Sequence, residues 1–166
     1  MKNFVLNLFL GFVIFLSTHT SYSQELIKVG EVKNEIRVGP FANNPHMAYG
    51  VKNILEDLLF DYGYDLSPNA DIQINVNLVF FDIKNIGKNI GFYHNKVSQT
   101  EIIAQGELYI KGKRKGKTTA TGTSKEISTS TLVVASDGTF NQQTASNALK
   151  KVLVQIVEDL LKWKTY

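Results

Sequence analysis

Asp71-Ile72-Gln73-Ile74-Asn75-Val76-Asn77-Leu78-Val79-Phe80-Phe81 decides the fold of this chain. Ile72, Ile74, Val76, Leu78 and Phe80 alternate with Gln73, Asn75, Asn77, Val79 and Phe81. In an extended strand alternate residues point to opposite sides, so the pattern predicts one apolar face and one mostly polar face. Thr100–Lys111 repeats it, with Ile102, Ala104, Gly106, Leu108 and Ile110 set against Ile103, Gln105, Glu107, Tyr109 and Lys111. Lys117–Ala135 is rich in Thr and Ser and predicts one or two further strands, because Thr suits a pleated surface. A sheet apolar on one side needs a cover.

The chain supplies two covers. Ala145, Ala148, Leu149, Val152, Leu153, Ile156, Val157, Leu160 and Leu161 recur at three-and-four spacing, the stripe of an amphipathic helix. Thr139 and Gln142 have the spacing of a capping box before it. A second helix fits residues 46–62, where Met47, Val51, Ile54, Leu55, Leu58, Leu59 and Tyr62 share a face. Asn43 or Asn44 can cap it, Pro45 suits its first turn, and Gly63 can end it. Before it, Glu35–Phe41 reads as a short strand stopped by Pro40, and Gln24–Val32 as a further strand or a loose arm. The predicted class is α+β: a two-layer sandwich in which a mixed, mostly antiparallel sheet of four to five strands carries two helices on one face, in the order β-α-β-β-β-α. The other face is polar at its centre and meets solvent or a partner.

The first residues give an address. Lys2, the apolar run Phe4–Leu16 and the small residues of Ser21-Tyr22-Ser23 follow the order of a secretory signal peptide, with cleavage expected before Gln24. The run is shorter than the roughly 20 apolar residues of a membrane span. Residues 1–23 are therefore read as a signal peptide and 24–166 as a single α/β domain. The sequence has no Cys, so an exported domain of this kind holds together by its core rather than by disulfides. Lys and Arg number 18 against 15 Asp and Glu; dropping Lys2 leaves a surplus of two, too small to imply nucleic acid.

Ile36-Arg37-Val38-Gly39-Pro40-Phe41-Ala42-Asn43-Asn44, the helix after it, the Tyr64-Asp65-Leu66 return and the strand opening Ala70-Asp71-Ile72 resemble several small bacterial envelope proteins. The group comprises the lipopolysaccharide-assembly lipoprotein family, the YajG-like lipoproteins and the N-terminal part of curli-secretion lipoproteins. The final Leu160-Leu161 helix is most like the YajG-like family. The resemblance spans most of residues 24–166 as an order of elements, on a short and degenerate motif. It implies a periplasmic, non-enzymatic envelope role. Those families are usually lipoproteins, and this chain lacks the Cys that would be acylated. No set of functional residues carries over.

Catalytic equipment is sparse. Beyond the signal segment there are two His, His46 near the start of the first helix and His94 in a predicted loop, and neither has metal-ligand spacing. No phosphate-binding Gly loop or serine-hydrolase elbow is present. The expectation is a protein that is not an enzyme and takes no cofactor or metal. Two features suggest contact with a protein partner, an envelope component or a membrane surface. One is the tandem Lys84-Asn85-Ile86-Gly87, Lys88-Asn89-Ile90-Gly91, followed by Phe92-Tyr93-His94-Asn95-Lys96. It is read as a mobile hairpin connection with apolar Ile86, Ile90, Phe92 and Tyr93 beside Lys84, Lys88 and Lys96. The simpler reading is that the two strands continue through it. The other is the run Lys111, Lys113, Arg114, Lys115 and Lys117, which suits anionic groups, or more simply forms a solvated turn that discourages edge pairing.

The sequence thus predicts an exported, non-catalytic accessory or binding protein that assists assembly or transport of an envelope component. The periplasm is the expected compartment and the extracellular space the alternative. The competing functions are a small secreted hydrolase with an unrecognised site and an extracellular interaction protein.

Overall fold

The alternation of residues 72–78 and 100–110 builds the centre of a five-stranded sheet. A computed structural model of the chain describes residues 25–39, 41–90, 93–127 and 132–165. The strands are β1 (Leu26–Asn34), β2 (Asp65–Leu66), β3 (Ile72–Ile90), β4 (Tyr93–Ile110) and β5 (Lys113–Ile127), in the spatial order β2-β1-β3-β4-β5. β1 runs parallel to β2 and β3; the β3–β4 and β4–β5 pairs are antiparallel. Helices α1 (Pro45–Asp61) and α2 (Gln143–Lys162) both pack on the apolar side of this sheet. The fold is therefore the predicted α+β sandwich, mixed and mostly antiparallel. The signal peptide expected at residues 1–23 lies outside the described residues.

Each helix has an identifiable start. Asn44 Oδ1 accepts from the His46 amide at 2.9 Å, and Pro45 occupies the first turn of α1. Gly63, at φ +82°, ends that helix in the left-handed region that glycine enters without penalty. The capping box predicted for α2 does not form. Thr139 is engaged instead in a turn with Asp137, its amide and hydroxyl both donating to Oδ1, and Gln142 makes no side-chain cap bond. Glu126 of β5 takes over: its Oε2 accepts from the Thr144 amide at 3.1 Å. A carboxylate suits a helix N-terminus, where unpaired amides concentrate positive charge.

Between helices and sheet lies a continuous core. Ile74, Val76, Leu78, Ile102, Ala104 and Leu108 meet Leu55 and Leu59 of α1 and Leu149, Val152, Leu153 and Ile156 of α2, all fully buried. Each large aliphatic side chain removed from water in this way contributes about 1.5–3 kcal/mol. α2 sits especially close. A Cβ built on Gly122 of β5 would lie 2.5 Å from both the Ala148 carbonyl oxygen and Val152 Cγ2. At Gly116 it would come within 2.8 Å of the Trp163 ring. α1 is pinned likewise, with Gly50 passing Gly138 so closely that a Cβ would stand 2.5 Å from the Gly138 carbonyl oxygen. Lys151 on α2 also reaches the Thr123 carbonyl of β5 at 3.1 Å.

Several local readings are corrected. The first strand is Leu26–Asn34; Glu35–Gly39 forms no strand, and Gly39 turns the chain at φ +100°. A bulge between Leu78 and Phe80 shifts the register of β3, so Phe81 enters the core at 2% exposure while Phe80 stands outside at 37%. Phe81 then packs on Phe41, with ring centroids 4.6 Å apart. The hairpin connection predicted over Lys84–Lys96 is strand almost throughout, and His94 lies in β4 rather than in a loop. Of the Thr- and Ser-rich stretch, β5 takes Lys117 to Ile127, residues 128–131 lie outside the described residues, and Val134 forms an isolated bridge to Phe140.

Because Gly122 leaves no room for a side chain beneath α2, Gly122→Val should lower stability by about 1–3 kcal/mol through overpacking. Thr121→Val, next in sequence but on the opposite face, should change it by less than about 0.5 kcal/mol. Urea unfolding of the two variants measures the contrast, and equal losses would contradict the close seating of α2.

Candidate functional site

Among the described residues, nothing covers one side of the sheet. On it, the positions alternating with the core residues carry Gln73, Asn75 and Asn77 of β3, Gln105, Glu107 and Tyr109 of β4, and Thr119, Thr121 and Thr123 of β5. These side chains are linked to one another. Gln73 donates to Asn75 Oδ1 at 2.7 Å, and the same oxygen accepts the Glu31 amide at 3.0 Å. That second bond fills a gap: the β1–β3 register shifts between Val29 and Val32, and the Asn75 side chain serves a backbone donor there. Gly30 has no Cβ because the Asn75 and Gln73 amides occupy that space.

Glu107 is the electrostatic centre of this face. The Tyr109 hydroxyl donates to its Oε2 at 2.8 Å, Arg114 Nη1 lies 3.3 Å from Oε1, and Lys117 Nζ lies 3.6 Å away. The Tyr109 bond, aided by Arg114 and Lys117, holds the Glu107 carboxyl below its ordinary value, against desolvation, which opposes it more than either cation alone supports it. The same bond raises the Tyr109 phenol. Lys33 pairs with Glu31 at 2.8 Å beside this cluster.

Above the bulge the surface changes character. β1 has left the sheet at Asn34, and Val79 and Phe80 stand more than one-third exposed. With Glu35–Gly39, Asn43 and Asp82 they line an open groove of about 1000 Å³. Glu35, Arg37 and Asp82 are its charged residues. Among the described residues no three His, Asp or Glu side chains gather in a way that could hold a metal ion.

The contact residues expected from sequence fall into two groups at opposite ends of the sheet. At one end, beyond the Val97–Ile127 pair, β3 and β4 continue pairing with each other as a ribbon. Ile86 pairs there with Val97, Lys88 with Asn95, and Ile90 with Tyr93; Phe92 lies outside the described residues. Lys84, at the root of the ribbon, is engaged with Glu101 at 3.6 Å and Asp82 at 3.9 Å. At the other end Lys113, Arg114 and Lys115 follow the Lys111-Gly112 turn that joins β4 to β5. Arg114 belongs to the Glu107 cluster, while Lys113 and Lys115 are exposed. Sequence reasoning missed the groove and Trp163. The break of alternation at Val79-Phe80-Phe81 was the available signal for the groove. Nothing local announced Trp163, which α2 brings over Gly116.

No family model matches the chain, and no curated protein matches it. Solved structures do. A protein from Xanthomonas campestris assigned to a domain family of unknown function is 15% identical, with a TM-score of 0.51 over 85% of this chain and 86% of its own. A hypothetical protein from Chlamydia trachomatis is 6% identical, with a TM-score of 0.50 over 84% of this chain and 95% of its own. A lipoprotein from Neisseria meningitidis is 12% identical, with a TM-score of 0.46 over 83% of this chain and 99% of its own. At these identities the likeness to the first two is one of fold alone.

The Glu107 cluster makes a pH prediction. A carboxyl held below its ordinary value of 4.5 contributes stability that is present above that pH and is lost as pH falls through the lowered folded value. Glu107→Gln should therefore flatten the acid limb of the stability curve below about pH 4.5. Urea midpoints measured from pH 7 down to pH 3 test this, and an acid limb as steep as in the parent protein would contradict it.

Proposed function

We propose that this is an exported, non-catalytic accessory protein of the bacterial envelope, which binds a protein or another envelope component and assists its assembly or transport. The observation that carries the reading is the one-sided sheet. Both helices lie on one face, and the other offers an uncovered lattice of amides, hydroxyls and paired charges, extended by the β3–β4 ribbon. Binding is the simplest use of such a surface, since its polar groups are fixed by one another before any ligand arrives.

The signal-like N-terminal segment supports export, and the periplasm is the compartment we assign. Among the described residues no helix is long and apolar enough to cross a membrane. The resemblance of residues 36–44 to YajG-like and lipopolysaccharide-assembly lipoproteins belongs to the same proposal.

A photo-crosslinking residue placed at Thr121 or Gln105, on the uncovered face, should give a discrete adduct in intact cells. The same residue at Asp57, exposed on α1, should not. Mass spectrometry of the adduct identifies the partner, and fractionation should recover the protein outside the cytoplasm. Equal labelling from Asp57, no adduct from either face position, or retention in the cytoplasm would each overturn the reading.

A further inference from the structure

We infer that the end of the sheet bearing the β4–β5 turn docks on an anionic lipid bilayer. This rests on the envelope role proposed above and names one of the surfaces that the protein meets.

Three observations converge on this end. The first is charge. Lys111, Gly112, Lys113, Arg114, Lys115 and Lys117 are all exposed around the turn. Of the neighbouring acids, Glu107 is engaged with Arg114 and Lys117, Asp159 with Lys162, and Glu25 with Lys164, while Asp71, whose carbonyl accepts from the Lys111 amide at 2.9 Å, offsets only part of the turn's charge. Lys111, Lys113 and Lys115 have no ion-pair partner among the described residues. Lys111 stands at φ +51° in a two-residue turn, where Asn or Gly would be less strained. Such a cluster attracts an anionic lipid surface, by about fivefold in affinity per cation.

The second observation is Trp163. It is half exposed, seated over Gly116 at the base of the same hairpin, with Lys162 and Lys164 on either side. An indole with one apolar body and one polar N–H suits the headgroup level of a bilayer. A half-exposed indole beside the basic turn suits a membrane better than a soluble anion, which would use the charges of Lys111, Lys113 and Lys115 and leave the ring in water.

The third observation is topology. β1 begins at Leu26, level with the starts of β3 and β2, so the chain enters the domain at this end. The residues that precede it include the apolar run Phe4–Leu16. The segment that leads into the domain therefore joins it at the same end as the basic turn.

Trp163 is the only tryptophan in the sequence, so its fluorescence reports this surface alone. The protein, purified in the form that cells produce, is mixed with vesicles of phosphatidylcholine alone or with one-fifth phosphatidylglycerol. Binding to the anionic vesicles, a blue shift of Trp163 emission and its quenching by brominated lipid are expected, with release in 0.5 M salt. The triple variant Lys111→Gln, Lys113→Gln, Lys115→Gln should bind more than tenfold more weakly while melting at the temperature of the parent. If that variant fails to fold, the parent's emission shift and brominated-lipid quenching decide alone. Equal binding to neutral vesicles, emission that does not move, or a shift produced by soluble polyphosphate but not by vesicles would overturn the inference. A protein that ignores vesicles but still yields the Thr121 adduct loses the membrane contact and keeps the envelope role.

Discussion

The structure depends on how closely α2 lies on β4 and β5. Gly122 and Gly106 present bare backbone beneath the helix, and Ala104 and Ala120 add only methyl groups. Dispersion falls off steeply with distance, so a helix that approaches backbone directly gains contact that larger side chains would hold off. This seating decides which side of the sheet is interior. It sets Glu126 under the start of the helix as a substitute cap, and it carries the end of the helix to Trp163 at the β4–β5 turn. The covered and uncovered faces, the cap and the basic corner all follow from one close approach.

A second constraint governs the other half of the sheet. β1 is shorter than β3, and the two part company at Asn34, where the Glu35 amide makes a last bond to the Leu78 carbonyl. The bulge in β3 comes at the next residues. It keeps the core continuous by turning Phe81 inward to Phe41, and it leaves Val79 and Phe80 at the wall of the groove. A single inserted residue thereby lets one strand serve two environments.

Much of the fold was legible in the sequence. The stripe of α2 and the alternation of β4 predict their buried residues because both elements are regular over their length. Errors arose where regularity breaks. Gly30 and Glu31 interrupt the pattern of Ile27, Val29 and Val32, so β1 read as either a further strand or a loose arm, whereas Ile36 and Val38 imitate alternation in a segment that forms no strand. Gly87 and Gly91 suggested a loop, but the ribbon register tolerates glycine at position 87, paired with Lys96. The candidate surfaces divide in the same way. The cations of 111–117 are adjacent in sequence and could be seen at once. The Glu107 cluster, the Asn75 bond to Glu31 and the place of Trp163 are made by residues brought together only in three dimensions.

The parallel pairing of β1 has a kinetic consequence. β3, β4, β5 and α2 are consecutive in sequence, and the three strands pair through hairpins, which close short loops. β1 is complete at Asn34, but its long partner β3 starts only at Ile72. Any process that delivers the chain from its N-terminus, synthesis included, presents β1 well before the strand it needs. Closing the intervening loop carries an entropic cost before any contact is gained. The first strand to emerge is thus among the last to be ordered, and until then its apolar residues Ile27, Val29 and Val32 depend on whatever guards an unfolded chain.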